Sequence, residues 1–294
     1  MNILTEIFQN FSTFSKYAPG VETNMDLNDL QSSGVTARKR IESIVTPAVF
    51  AHLLRQPAES GLSEALRSAM ANMTMASQII FDSIVRRKNK VDVYKYELEA
   101  MKRAYMENYY NAMDTIIRLL MAAPTHDDGE LSKAWEQSRY HSLMDACRLK
   151  SADEFDAIYP IDMSYLFFFR TLPLQKECMD ERLSAYYERL TDDNRDRIEP
   201  SLNLALAKKT IAKSLRRFDV LEFPTTIRNL FDDNKAFRHG STEQDVLLSL
   251  ASLLDGEVDA LISDIDALLS TDTTVDISSY SAYNNPDDKI MMLP

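Results

Sequence analysis

Cysteine is scarce in this chain: Cys147 and Cys178 are the only two in 294 residues. They lack a C-x-x-C spacing, so no disulfide framework is indicated, and two buried or incidental thiols in a reducing compartment are expected. Glycine is also sparse, and Gly20, Gly34, Gly61, Gly129, Gly240 and Gly256 stand too far apart to form a phosphate-cradling loop. The histidines, His52, His126, His141 and His239, are isolated, whereas a zinc site requires paired ligands at short spacing. No Glu-x-x-His tetrapeptide is present to build a carboxylate di-iron bundle, and no G-x-S-x-G elbow to carry a nucleophilic serine. Asp192-Asp193 and Asp232-Asp233 read as turns and caps, and His126-Asp127-Asp128 as a solvated loop. The expectation is a protein without metal, cofactor or catalytic residues, and not an enzyme.

Long apolar runs are missing too. The most apolar stretch, Tyr165 to Phe169, is five residues long, against roughly 18 needed to span a bilayer. The start, MNILTEIFQNFSTFSKYAPG, has no basic region followed by an apolar one, so no secretory signal is read there. A cytoplasmic or virion-associated protein without membrane contact is expected.

What is present points to helices. Hydrophobic residues make up 45% of the chain, and only ten prolines and six glycines interrupt it, which favours an all-α fold. The stretch Leu66 to Ala76 (LRSAMANMTMA) returns at Leu202 to Ala212 (LNLALAKKTIA), an offset of 136 residues, with leucine, three alanines and threonine identical. Small residues on one helix face let neighbouring helices approach closely. Two readings stand: an internal duplication, or two helices that obey the same packing rules. On the first, the chain divides into a helical half at 1–124, a linker loop at 125–130, a second half at 131–270 and an extended tail at 271–294.

Apolar spacing predicts the elements in more detail. Ile3, Leu4, Ile7, Phe8, Phe11 and Phe14 make a short amphipathic helix that must dock on this chain or on a neighbour. Thr36 to Gln56 is helical, with Pro47 imposing a kink or a break. Ser63 is the expected cap of the helix carrying the first repeat, Arg86 to Val93 a basic connector, and Tyr94 to Ala122 a long helix. One helix is expected over Leu131 to Leu149, a Ser151-capped turn after it, and a helix starting at Pro173. In the last helix, about Thr242 to Ser270, Leu247, Leu250, Leu254, Leu261, Ile265 and Leu268 average close to a heptad seam. Tyr109-Tyr110, Tyr186-Tyr187 and Phe167 to Phe169 read as core residues.

The net charge of −12 is unevenly placed, for residues 243–294 hold 11 acidic side chains and one basic, while residues 1–150 hold 18 of each. Two basic clusters, Arg38-Lys39-Arg40 and Arg86-Arg87-Lys88 with Lys90, stand against that acidic end. Such runs are either solvated helix faces or patches that steer a protein partner or a head-to-tail neighbour. A pI near 4.9 makes nucleic acid an unlikely partner. Lys289, Ile290, Met291, Met292 and Leu293 form an apolar segment on a polar tether, suited to a partner's groove or sheet edge. These residues are the candidate partner-binding set.

Taken together, the small-residue helix, Trp135-x-x-Ser138, Phe155-x-x-Ile158-x-Pro160, Ala205-x-Ala207-x-x-Thr210-x-Ala212 followed by Phe223-Pro224, and Asn284-Asn285-x-Asp287-Asp288-Lys289 resemble uncharacterised helical proteins of about this length from Bacteroidales prophages and related tailed phages. The resemblance implies a virion structural or assembly protein similar in setting to head–tail connector or neck components, acting as a ring and with other virion proteins. It brings no catalytic residues. The alternative is an intracellular helical adaptor that binds a host or regulatory partner through its acidic C-terminal helix or tail.

Overall fold

The computed structural model describes residues 3–21, 25–88, 94–122, 129–230 and 243–271. Among them the chain is all-α: helices and their connections account for every element, and no strand occurs. The expected tail and most of the linker loop lie outside the described residues, as do Lys90, His126, His239 and the Lys289 to Leu293 segment.

The N-terminus forms two one-turn helices, α1 (Ile3–Ile7) and α2 (Phe11–Ser15), divided where Asn10 caps the second by accepting from the Thr13 amide at 2.8 Å. They dock on this chain, with Leu4, Phe8 and Phe14 fully buried. The helix α3 (Gln31–Val45) receives α1 at Gly34, where any Cβ would lie 2.8 Å from Cγ of Leu4. Gly34→Ala is therefore expected to cost about 1 kcal/mol, the overpacking penalty less the helix propensity gained. Chemical denaturation checks this, and Leu4→Ala in the same chain should remove most of the effect.

Pro47 breaks the helix. Thr46, at φ +78°, separates α3 from α4 (Pro47–Leu54), and its hydroxyl accepts from the Val49 amide at 3.4 Å. Proline then occupies the first helical position, where its missing N–H costs nothing. The long helix α5 (Gly61–Lys88) is capped by Ser60, whose Oγ accepts from the Ser63 amide at 3.1 Å, and so not by Ser63. It runs through Arg86 to Lys88, which are helical and not a connector. It then pairs with α6 (Lys95–Ala122).

From Ala69 to Ala76 every residue of α5 is buried, so this segment is covered on all sides and forms the axis of the first half. Tyr17 and Tyr105 fasten the loop before α3 around it. The Tyr17 hydroxyl donates to Glu64 at 2.9 Å, its carbonyl accepts from Asn72 at 2.9 Å, and the Tyr105 hydroxyl donates to the Pro19 carbonyl at 2.9 Å.

In the second half the region expected as one helix is two, α7 (Glu130–Glu136) and α8 (Arg139–Ala146), because Ser138 caps the latter by accepting from the His141 amide at 3.2 Å. Ser151 caps α9 (Ala152–Ile158) as expected, and Ser164 caps α10 (Tyr165–Cys178). Pro173 lies inside α10 and not at a helix start. It forfeits one backbone hydrogen bond, but burial of Phe167, Phe168, Phe169, Leu172 and Leu174 holds the helix on both sides of it. A π-turn at Met179–Leu183 leads into α11 (Ser184–Tyr187) and then α12 (Arg195–Arg217).

A 3₁₀ turn at Val220–Glu222 and α13 (Thr225–Arg228) follow, and α14 (Glu243–Thr271) packs along α12. Buried positions on α14 are Leu247, Ala251, Leu254, Val258, Ile262, Ile265 and Leu269. Their spacing repeats every eleven residues, not every seven, which matches the natural turn of a straight helix more closely than a heptad does.

The two repeated segments hold equivalent places. Leu66, Ala69, Met70, Ala71, Thr74, Met75, Ala76 and Ile79 of α5, and their counterparts Leu202, Ala205, Leu206, Ala207, Thr210, Ile211, Ala212 and Leu215 of α12, are all buried. Each helix packs on a long partner that follows it, α6 or α14, and on a helix that precedes it, α3 or α10. The two segments differ at Asn72 and Met73, which are buried, and at Lys208 and Lys209, which reach out to α14.

Candidate functional site

The first basic cluster does not act as a unit, since consecutive helical residues point about 100° apart. Arg38 is used within the fold: Nε contacts Glu42 at 2.7 Å, a guanidinium nitrogen lies 3.8 Å from Glu6, and the group stacks 5.0 Å from the Phe50 ring centroid. Lys39 is exposed. Arg40 has no ion-pair or hydrogen-bond partner among the described residues and stands over the seam between the halves. The backbone of Arg86, Arg87 and Lys88 forms the last turn of α5.

The acidic helix is largely neutralised from within. Asp255 meets Lys209 and Arg216, each at 2.7 Å, Glu257 meets Lys208 at 2.8 Å, and Asp259 meets Arg182 at 2.5 Å. Asp266 accepts from the Tyr186 hydroxyl at 3.1 Å and lies 3.8 Å from Arg189. The divergent lysines of the second repeat thus have a structural role, holding α14 in place. Glu177 is drawn to about 2 by hydrogen bonds from Arg217 and Lys213, which ties α10 to α12.

Two surfaces remain. The first is the free end of the α5–α6 hairpin. Ile80 (60% exposed), Phe81 (52%) and Ile84 (48%) stand out from α5, with Tyr94, Tyr96 (67%) and Met101 beside them at the start of α6. Tyr94 and Tyr96 stack at 5.6 Å. Most of the large apolar side chains exposed among the described residues lie at this end. Large apolar side chains left exposed together at one end are the character of a protein contact. The sequence did carry a trace of it, because Ile79 to Val85 has more apolar positions than one helix face can bury.

The second is the seam, which the sequence did not disclose. Arg40 and Ser43 of α3, Tyr109 and Tyr110 of α6, Phe167 and Arg170 of α10 and Glu222 of the 3₁₀ turn enclose a cavity of about 190 Å³. Arg170 pairs with Glu222 at 3.0 Å and stacks 5.1 Å from the Phe218 ring centroid. Burial pushes the Tyr109 and Tyr110 phenols above their ordinary range, so both stay protonated, and the Tyr110 hydroxyl is buried without a partner. Alongside, Asp114 accepts from the Leu166 amide at 2.7 Å and the Ser164 hydroxyl at 3.1 Å, and burial raises its carboxyl to about 6. Arg228, almost fully buried, reaches Glu107 at 3.0 Å.

The chain matches no family model, no curated protein and no solved structure. The seam and the hairpin end therefore stand on their own chemistry. Both thiols are buried and raised to about 11, which disfavours a thiolate nucleophile. No group of three potential metal ligands occurs among the described residues. Among these residues, too, no helix is long and apolar enough to cross a membrane. What the arrangement offers is binding: an apolar contact face, and a cleft with an unpaired cation and buried hydroxyls.

Proposed function

We propose that this protein is a non-enzymatic virion assembly protein of the head–tail connector or neck kind, working in a ring through contacts at the free end of the α5–α6 hairpin. The observation that carries the reading is that Ile80, Phe81, Ile84, Tyr94, Tyr96 and Met101 all lie toward that end and are exposed, with Tyr94 stacked on Tyr96. Such side chains supply the aromatic anchors that dominate protein interfaces. Anchored by the buried segment from Ala69 to Ala76, the helices present them without the cost of ordering a loop.

The adaptor alternative receives less support in its first form. The carboxylates of α14 that would grip a partner are mostly occupied by Lys208, Lys209, Arg182 and Arg216. Mass spectrometry of purified particles is the test. The chain is expected in particles at a fixed ratio to the structural proteins, and its absence from them would overturn the reading. Light scattering of the isolated chain would report a ring if one forms without the particle.

A further inference from the structure

A groove of about 500 Å³ runs beside the hairpin end between α3, α5 and α6, with Met73, Ala76, Ile79, Leu98 and Met106 among its walls. Arg40 and Tyr110 line both this groove and the seam cavity, so the two spaces meet at that pair. The combination is that of a small-molecule site: a mostly apolar space of several hundred Å³ with a few convergent polar groups.

Polar groups where the two spaces meet are not balanced. Arg170 is paired with Glu222, whereas Arg40 has no carboxylate within ion-pair distance among the described residues, which leaves its guanidinium free to take an anion. In the groove, Glu99 and Lys102 stand one turn apart on α6, and Asp219, which caps the 3₁₀ turn by accepting from the Leu221 amide at 2.9 Å, adds a carboxylate to the wall. A buried hydroxyl without an acceptor, as Tyr110 has, costs stability unless something fills the need.

We infer that this site binds a small amphiphilic monocarboxylate, its head held by the Arg40 guanidinium and the Tyr110 hydroxyl and its apolar body lying along the methionine-lined groove. A carboxylate suits the pair because guanidinium donates to both of its oxygens, and the phenol adds a third donor. Methionine walls adapt to apolar bodies of differing shape, so the chain length of the ligand is set loosely.

Titration calorimetry of the full chain with dodecanoate, and with dodecanol as the neutral isostere, tests the assignment. Dodecanoate is expected to saturate one site at least tenfold more tightly than dodecanol. Arg40→Met should bring the acid down to the level of the alcohol and leave the alcohol unchanged. Because Arg40 is exposed and unpaired, that variant should melt with the wild type. Tyr110→Phe should move two readouts in opposite directions, raising the melting temperature of the free protein while weakening dodecanoate. Equal affinity for acid and alcohol, indifference to Arg40→Met, or no binding of either probe would each overturn the inference. So would an acidic apolar peptide that needs Arg40 where dodecanoate does not bind, because the groove would then belong to a protein segment.

Discussion

Ala207→Leu is expected to destabilise the protein by about 3 kcal/mol, at the upper end of overpacking penalties, and Ala71→Leu by a similar amount. Three consecutive residues of α12, Ala205 to Ala207, are buried, as is the whole of Ala69 to Ala76 in α5. A small residue buried together with its neighbours leaves an added side chain little room in which to relax, and packed neighbours transmit the strain. Small residues at these positions set how closely α10 and α14, or α3 and α6, approach their central helix. Lys208→Ala one residue along is expected to change stability by about 0.5 kcal/mol, since it removes only a partly exposed ion pair with Glu257. Urea denaturation of the three variants gives the comparison directly. Equal effects at Ala207 and Lys208 would mean that α12 is not tightly packed at Ala207.

The second large effect concerns Asp114. Its carboxyl titrates at about 6 in the folded protein against an ordinary value of 3.8, with burial as the main cause and its hydrogen bonds only partly offsetting it. A raised carboxylate pKa means that the folded state holds the proton more tightly than the unfolded chain. The contribution is therefore fully present below pH 3.8 and is lost as pH rises through 6. At 1.36 kcal/mol per unit, the loss is about 3 kcal/mol. Asp114→Asn keeps an acceptor for the Leu166 amide and the Ser164 hydroxyl but does not titrate. Its stability is expected to match the wild type near pH 4 and exceed it near pH 7, so the difference between the two curves isolates the group. A difference that is flat across this range would show that the start of α10 is not held by a buried carboxylate.

Much of the fold was legible in the sequence because it depends on local patterns. Few glycines and prolines and a sustained helical period indicated an all-α chain, and the similar stretches at Leu66 and Leu202 marked two helices rich in buried small residues. Caps formed by Ser138, Ser164 and Ser60 decide where helices begin, and only Ser151 was read in advance. Pro173 marked a start by the usual rule but lies inside α10, since burial of the surrounding phenylalanines outweighs one lost hydrogen bond. The α14 stripe was read with leucines alone, and the buried positions Ala251, Val258 and Ile262 convert a heptad into an eleven-residue repeat.

The candidate sites were less legible for a different reason. Arg40, Tyr110, Arg170 and Glu222 come from four elements separated by as much as 182 residues of sequence, and no spacing rule brings them together. Arg38 and the acids of α14 were read as outward-facing charge, yet tertiary packing supplied them with internal partners. Charge runs indicate where solvent or a partner is possible, but they do not reveal which charges the fold itself consumes. The hairpin end shows the converse, because exposed Phe81 and Tyr96 resemble core residues until the chain's own core is seen to be full without them.

The most direct test of the assembly reading is incorporation of the Phe81→Asp, Tyr96→Asp double variant into particles. Both side chains are more than half exposed, so the variant should fold and melt like the wild type. Quantitative mass spectrometry of particles purified from cells expressing either form is expected to find the wild-type chain at a fixed ratio to the structural proteins, and the double variant reduced at least tenfold. Equal incorporation of the two forms, or particles lacking the wild-type chain, would contradict the account.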